Sequence, residues 1–165
     1  MYNRILVPLD GSELAEQVLP GVIELANCTG AEIVLIRVPD FPVYEYLMPA
    51  ADLTTPMQEL ARDQASQYLD RVSSDLRATG LHVRTQVVYD GAVYSTILET
   101  AKEMKVDLIA MSTHGRSGLA RLVMGSVADD VVHHAELPVL LVRPQPVNTA
   151  LPAHYNTAYS PLPLN

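Results

Sequence analysis

The sequence predicts an α/β protein: a doubly wound, five-stranded parallel sheet with helices on both faces. Three observations carry that expectation. Short, consecutive apolar runs (Ile5-Leu6-Val7, Ile33-Val34-Leu35-Ile36, Leu108-Ile109-Ala110-Met111, Val139-Leu140-Leu141-Val142) alternate with longer segments of helical period. Unbroken runs of this kind suit strands buried on both faces, and strand–helix alternation implies right-handed crossovers between parallel strands. Glycine-bearing turns follow the Ile5-Leu6-Val7 and Leu108-Ile109-Ala110-Met111 runs, and the ends of such strands are where open α/β sheets hold ligands.

Asn3 to Leu9 reads as the first strand, closed by Pro8. Asp10-Gly11-Ser12 is a turn, and Ser12 can cap a helix over Glu13 to Asn27, with Leu14, Val18, Val22 and Leu25 at helical spacing and a kink at Pro20. Thr29-Gly30 ends that helix and Ala31 to Val38 forms the second strand. Pro39 to Pro56, with four prolines and Phe41, Tyr44 and Tyr46, reads as a long loop or lid. A helical pattern resumes from Met57 to Ala78 (Leu60, Gln64, Tyr68, Val72, Leu76) and Thr79-Gly80 stops it. Leu81 to Tyr89 alternates His82, Arg84 and Gln86 with less polar residues, the pattern of a protected edge strand. Asp90-Gly91 opens a helix over Val93 to Lys105; Val106 to Met111 is the fourth strand, Val127 to Ala135 a helix and Val139 to Val142 the fifth strand. That last strand carries no charge. At the sheet edge it would have to be covered or pair with a second molecule.

Composition bounds the function. A chain of 165 residues, 48% hydrophobic, supports one domain with a real core. A formal charge of -8 without any basic stripe excludes sequence-independent binding to nucleic acid or to an anionic membrane surface. Cys28 is the only cysteine, which excludes an intrachain disulfide; its place in a helix-like segment suggests a small buried hydrophobe. The start of the chain lacks a signal-like apolar region and no apolar run reaches the ~20 residues of a membrane span, so a soluble cytoplasmic protein is expected. The Pro-rich stretch from Pro144 is expected to dock through Leu151, Tyr155, Tyr159 and Leu162.

The stretch from Met111 to Val127 stands apart from this acidic background. Ser112 to Ala128 contains no Asp or Glu, while His114, Arg116 and Arg121 lie within it. Small residues let backbone N–H groups approach an anion, and a following helix adds unpaired donors and the positive end of its dipole. The stretch therefore suits a nucleotide's phosphate chain, with Asp10 across the crevice able to hold a divalent ion or a ribose hydroxyl.

The run Thr113-His114-Gly115-Arg116-Ser117-Gly118, then Gly125-Ser126 and Pro138 to Val142, together with Ile5 to Ser12, resembles the universal stress protein family. Nucleotide-binding members carry a glycine, two residues, a glycine, nine residues and Gly-Ser or Gly-Thr; Gly115 and Gly125-Ser126 keep the spacing, and Ser112 replaces the first glycine. The resemblance implies the strand order 3-2-1-4-5, ATP at the ends of strands one and four, and a homodimer through strand five (Val139, Leu140, Leu141, Val142). It carries Pro8, Asp10 and Ser12 over as residues near adenosine and metal (Mg²⁺ or Mn²⁺ on Asp10), and Val38 as an adenine contact. Met111, Ser112, Gly115, Gly125, Ser126 and Val127 match the ribose and phosphate cradle, and Arg116 and Gly118 belong to the same loop. Residues 1–144 are then the nucleotide-binding domain and 145–165 an extension.

Enzymatic signatures are sparse. There is no Walker lysine motif and no Gly-x-Gly-x-x-Gly after the first strand; Ser117 lacks the spacing of a nucleophile elbow; His133-His134 point about 100° apart on a helix. Efficient phosphoryl transfer needs metals, a positioned nucleophile and cationic clamps together. The expected function is an ATP-binding regulator with slow or no hydrolysis. Two alternatives stand beside it: a metal-dependent ATPase or nucleotidyl-transfer enzyme working through Asp10, and a dimeric interaction protein whose pocket is vestigial.

Overall fold

A computed structural model describes residues 1–39, 54–88, 92–115 and 124–145, the side chains of 54–57 excepted. The elements run β1 (Arg4–Pro8), α1 (Glu13–Glu16), α2 (Leu19–Thr29), β2 (Glu32–Arg37), α3 (Thr54–Arg77), β3 (Val83–Val87), α4 (Val93–Glu103), β4 (Leu108–Ser112), α5 (Ser126–His134) and β5 (Val139–Val142). The five strands form one parallel sheet in the order β3-β2-β1-β4-β5. Both the class and the order meet the expectation.

The period of two along each strand divides the core into two layers. Ile5, Val7, Ile33 and Leu35 face Val18, Leu19 and Val22 at the start of α2 and Leu69, Val72 and Leu76 of α3. Leu6, Val34, Ile36, Ile109 and Met111 face Ile97 and Ala101 of α4 and Ala128 and Val131 of α5. Most of these side chains are fully buried, and each Val, Leu, Ile or Met among them is worth roughly 1.5–3 kcal/mol when removed from water. Every inner strand is thus apolar on consecutive residues because it has a helical layer on each side. β3, at the edge, exposes Arg84 and Gln86. β5, at the other edge, exposes Leu140.

The structure corrects several local expectations. The segment from Glu13 to Asn27 is not one kinked helix. α1 ends after one turn, Gln17 and Val18 intervene, and α2 starts with Pro20 in its first turn. A proline there sacrifices no intrahelical bond, since the first N–H groups of a helix have no partner, whereas in a continuous helix it would clash one turn back. Cys28 is exposed rather than buried, because the buried face of α2 is Leu19, Val22 and Ala26. The helix expected from Met57 begins at Thr54, and β4 runs one residue further than expected, to Ser112. Tyr44, Tyr46, Asp90-Gly91 and the anchors of the Pro-rich extension lie outside the described residues.

Two tethers set the ends of the sheet. At its amino end the Asp107 carboxylate accepts from the backbone N–H groups of Asn3 (2.6 Å) and Arg4 (2.9 Å), joining β1 to the start of β4. At the other end the side-chain amide of Gln17 grips the main chain of Gln145 in both directions: Nε2 donates to its carbonyl (3.0 Å), and its N–H donates to Oε1 (2.7 Å). Among the described residues no helix is long and apolar enough to cross a membrane.

Candidate functional site

β1 pairs with β2 over five residues but with β4 over two, Ile5 with Leu108 and Leu6 with Ile109. The central strands therefore part above Leu6, and a crevice of about 210 Å³ opens between their carboxyl ends. This is the point where the winding of the sheet reverses. Pro8, Leu9 and Asp10 line it from β1, Val38 from β2, Val93 and Ile97 from α4, and Met111 to Gly115 and Gly125 to Ala128 from the far side.

One wall is the turn after β1. The Asp10 carboxylate accepts from the Ser12 N–H (2.9 Å) and from the Ser12 hydroxyl (2.6 Å). The same hydroxyl oxygen accepts from the Ala15 N–H (3.1 Å) and so caps α1. The Asp-Gly-Ser sequence folds this way because Asp10 closes a side-chain turn onto Ser12 while Gly11 takes a left-handed backbone, φ +88°. Asp10 is thereby aimed by the helix it precedes.

The opposite wall is the β4 end and the start of α5. Gly125 donates its N–H to the Thr113 carbonyl (2.8 Å), pinning the two ends of the intervening loop together. Among the described residues no side chain caps α5, so the N–H groups of its first turn remain as donors facing the crevice. Gly115 and Gly125 are required for close approach, not for a left-handed turn. Gly125 has φ -62°, and a Cβ there would stand 3.2 Å from the Thr113 carbonyl oxygen. A Cβ on Gly115 would run into the Asp10 carboxylate. The two turns that flank the crevice touch each other through that contact.

Ser112, where the motif of Gly-x-x-Gly would have its first glycine, closes β4 opposite Val142 and is buried. Lys105 is the one non-glycine with a left-handed backbone among the described residues, so Ser112 is accommodated without strain. Its hydroxyl accepts from the His114 N–H at 3.3 Å. His114 Nδ1 faces the Thr113 hydroxyl at 2.9 Å, and its Nε2 is buried without a hydrogen-bond partner among the described residues.

The crevice thus brings together nine of the residues singled out in the sequence: Pro8, Asp10, Val38, Met111, Ser112, Gly115, Gly125, Ser126 and Val127. Ser12 is not on the lining and acts through Asp10 and the α1 cap. Arg116 and Gly118 lie outside the described residues.

A sequence model of the family described as "Universal stress protein family" matches residues 1–143. The chain belongs to the universal stress protein family. Its relatives include universal stress protein MJ0531 of Methanocaldococcus jannaschii, 32% identical over 143 residues, covering 87% of this chain and 83% of that one. The solved structure of the hypothetical protein MJ0577 from the same organism superposes with a TM-score of 0.77 at 28% identity, covering 88% of this chain and 98% of that one. A universal stress protein from Arabidopsis thaliana, solved with AMP bound, shares the fold at a TM-score of 0.63 and 16% identity, covering 87% and 92% of the two chains.

In this universal stress protein the crevice also takes in Leu9, Ala15, Val93, Ile97 and Ala128, which the sequence did not single out, and Thr113 and His114, which it offered only as part of the phosphate-binding stretch. Val93 and Ile97 carried a usable signal, being one helical turn apart at the start of a helix that follows a strand end. They join Val38 as an apolar wall, while Asp10 and the α5 donors form the polar side. The donor set suits an anion at α5, and the apolar wall suits a flat heterocycle. For a divalent ion Asp10 is a fitting ligand, because Mg²⁺ is commonly held by one or two carboxylates together with substrate phosphates. Among the described residues no group of three or more His, Cys, Asp or Glu gathers to hold a metal unaided.

Proposed function

We propose that the chain is a cytoplasmic, homodimeric adenine-nucleotide-binding regulator that holds ATP in the crevice with slow or no hydrolysis. The observation that carries this is the contact of Gly115 with the Asp10 carboxylate, opposite an uncapped helix start. It places a carboxylate, a side-chain-free backbone and a set of free N–H donors around one opening. The adenine would lie against Val38, Val93 and Ile97, and the phosphates would run along Ser112, Gly115 and Gly125 toward Ser126 and Val127, with Arg116 and Gly118 in the same loop. At about 210 Å³ the described walls enclose less than the ~300–1,000 Å³ of a typical ligand pocket, which suits a nucleoside inside and a phosphate chain along the open rim. The AMP-bound plant protein supports the reading to the extent that the shared fold accommodates an adenine nucleotide.

Asp10 would hold Mg²⁺ or Mn²⁺ against the phosphates, and bound metal would supply charge neutralisation there. Ser12 keeps the Asp10 carboxylate aimed. Slow turnover is expected because efficient phosphoryl transfer needs metals, a positioned nucleophile and cationic clamps together, and the described walls bring a single carboxylate, Asp10, to the crevice. Residues 1–144 act as the binding domain and 145–165 as an appended extension, and the dimer forms through Val139 to Val142.

The test is a melting experiment on the full chain. ATP with Mg²⁺ at about 100 times its dissociation constant should stabilise the fold by about 2.7 kcal/mol and raise the Tm by several degrees. Gly115→Ala, which drives a methyl into Asp10, should abolish that rise whatever its own Tm. An unchanged wild-type Tm, with no adenine nucleotide released on heat denaturation, would overturn the reading.

A further inference from the structure

Arg37 ends β2, and its carbonyl accepts from the Val88 N–H at 3.0 Å, which fixes its backbone beside β3. Its side chain lies on the α3 side of the sheet, behind the crevice that its neighbour Val38 lines. Its Cζ sits 5.0 Å from the centroid of the Tyr68 ring, and a Cβ on Gly11 would stand 3.2 Å from both Cζ and Nη2. The Asp10-Gly11-Ser12 turn therefore rests directly on the guanidinium. Gly11 is needed there for its left-handed φ, and its missing side chain lets the guanidinium come close.

That placement leaves one donor of the guanidinium unsatisfied. Among the described residues no carboxylate forms an ion pair with Arg37, and its Nε is buried without an acceptor. The Tyr68 face compensates for this only in part, through its quadrupole. Burial, and then the charge of Glu16, push the Tyr68 phenol up, so the ring stays neutral. Arg71, 5.4 Å from the same ring, is differently placed: it pairs with Glu16 at 2.9 Å. Arg37 is left holding a positive charge under the turn, while on the turn's other side Asp10 presses on Gly115.

We propose that Arg37 is a positioning residue: wedged between Tyr68 and Gly11, it props the Asp10-Gly11-Ser12 turn against the β4 end and sets the affinity of the crevice for a nucleotide's phosphates. The proposal rests on the nucleotide reading of the crevice. Two effects combine. The planar guanidinium fixes the height of Gly11, and its charge, behind the Asp10 carboxylate, offsets the repulsion between that carboxylate and phosphate oxygens. The second effect grows with ligand charge, which a purely structural role would not do.

The test compares wild type, Arg37→Met and Arg37→Lys as full chains. ATP and adenosine are titrated by calorimetry, and the amide resonances of Gly11 and Ser12 are followed without ligand. Arg37→Met should move both resonances and weaken ATP by about tenfold but adenosine by no more than about twofold, since only the former loses a Coulomb partner. Arg37→Lys, which keeps the charge without the plane, should recover part of the ATP affinity. Unmoved resonances with unchanged ATP binding would overturn the proposal, as would an equal loss for ATP and adenosine. If wild type binds neither ligand the nucleotide reading falls, while the resonances still decide whether Arg37 holds the turn. Should Arg37→Met fail to fold, Tyr68→Leu removes the wedge from the other side and is read by the same resonances and titrations.

Discussion

Ser112 and Gly115 border the same crevice by different means. Gly115 makes room for a carboxylate; Ser112 occupies room with a hydroxyl that holds the His114 N–H, a donor otherwise available to a ligand. Ser112→Gly should therefore raise ATP affinity about fivefold, the worth of one freed hydrogen bond near 1 kcal/mol, while lowering stability by about 0.5–1 kcal/mol through backbone entropy. Calorimetry and urea unfolding on the same variant check both signs, and weaker ATP binding would show that the serine itself contacts the nucleotide. The glycine spacing was legible in the sequence, but the reason for it was not. A glycine that avoids a distant Asp10 and one that turns left-handed look alike in a string of letters. Cys28 was misplaced for a related reason: the phase of a helix decides which side chains are inside, and that phase is reset when α2 begins afresh at Leu19.

At the level of elements, β1 and β4 are joined by few rungs of the ladder, and Asp107 adds a second fastening at their amino ends. The two backbone N–H groups of Asn3 and Arg4 hold its carboxyl below the ordinary carboxylate range. A depressed folded pKa means stability that is present above the unfolded value near ~3.9 and lost as the pH falls through the folded one. Asp107→Asn should thus cost about 1 kcal/mol at pH 7, at the low end for a hydrogen-bonded charge because the site is wet. The difference should shrink as the pH falls below the ordinary carboxylate range, as read from urea midpoints at pH 7 and in acid. A gap that stays constant with pH would assign the fastening to shape rather than charge. Among the described residues the element types were readable from period and apolar runs, whereas the α1–α2 break was not. Pro20 signalled a disturbance, but whether it kinks a helix or starts one depends on whether Val18 is held by the sheet, and Val18 is fully buried against it.

For the whole molecule, alternation of strands and helices announced the class, and the order of strands came from resemblance. Local pattern cannot supply that order, because it is fixed by the direction each crossover takes over the sheet. The consequence shows at the two edges. β3 is guarded by Arg84 and Gln86, while β5 offers Leu140, 36% exposed. If two chains associate through β5, Leu140→Lys should convert a dimer to a monomer in light-scattering chromatography while the far-UV spectrum is retained. A dimer that survives the substitution would place the interface elsewhere.

The grip of Gln17 on Gln145 gives the molecule a built-in reporter position. Gln17 ends the single turn of α1 whose other end is the Ser12 cap, so one turn of helix separates the crevice wall from the place where residues 146–165 depart. The contacts use only main-chain atoms of Gln145, and its exposed side chain is free to be exchanged. A dye on position 145 would sense movement of the binding turn, and a bulky fusion following it would strain the same turn. The amino terminus, at the opposite end of a parallel sheet, is the place where a tag would leave the crevice undisturbed.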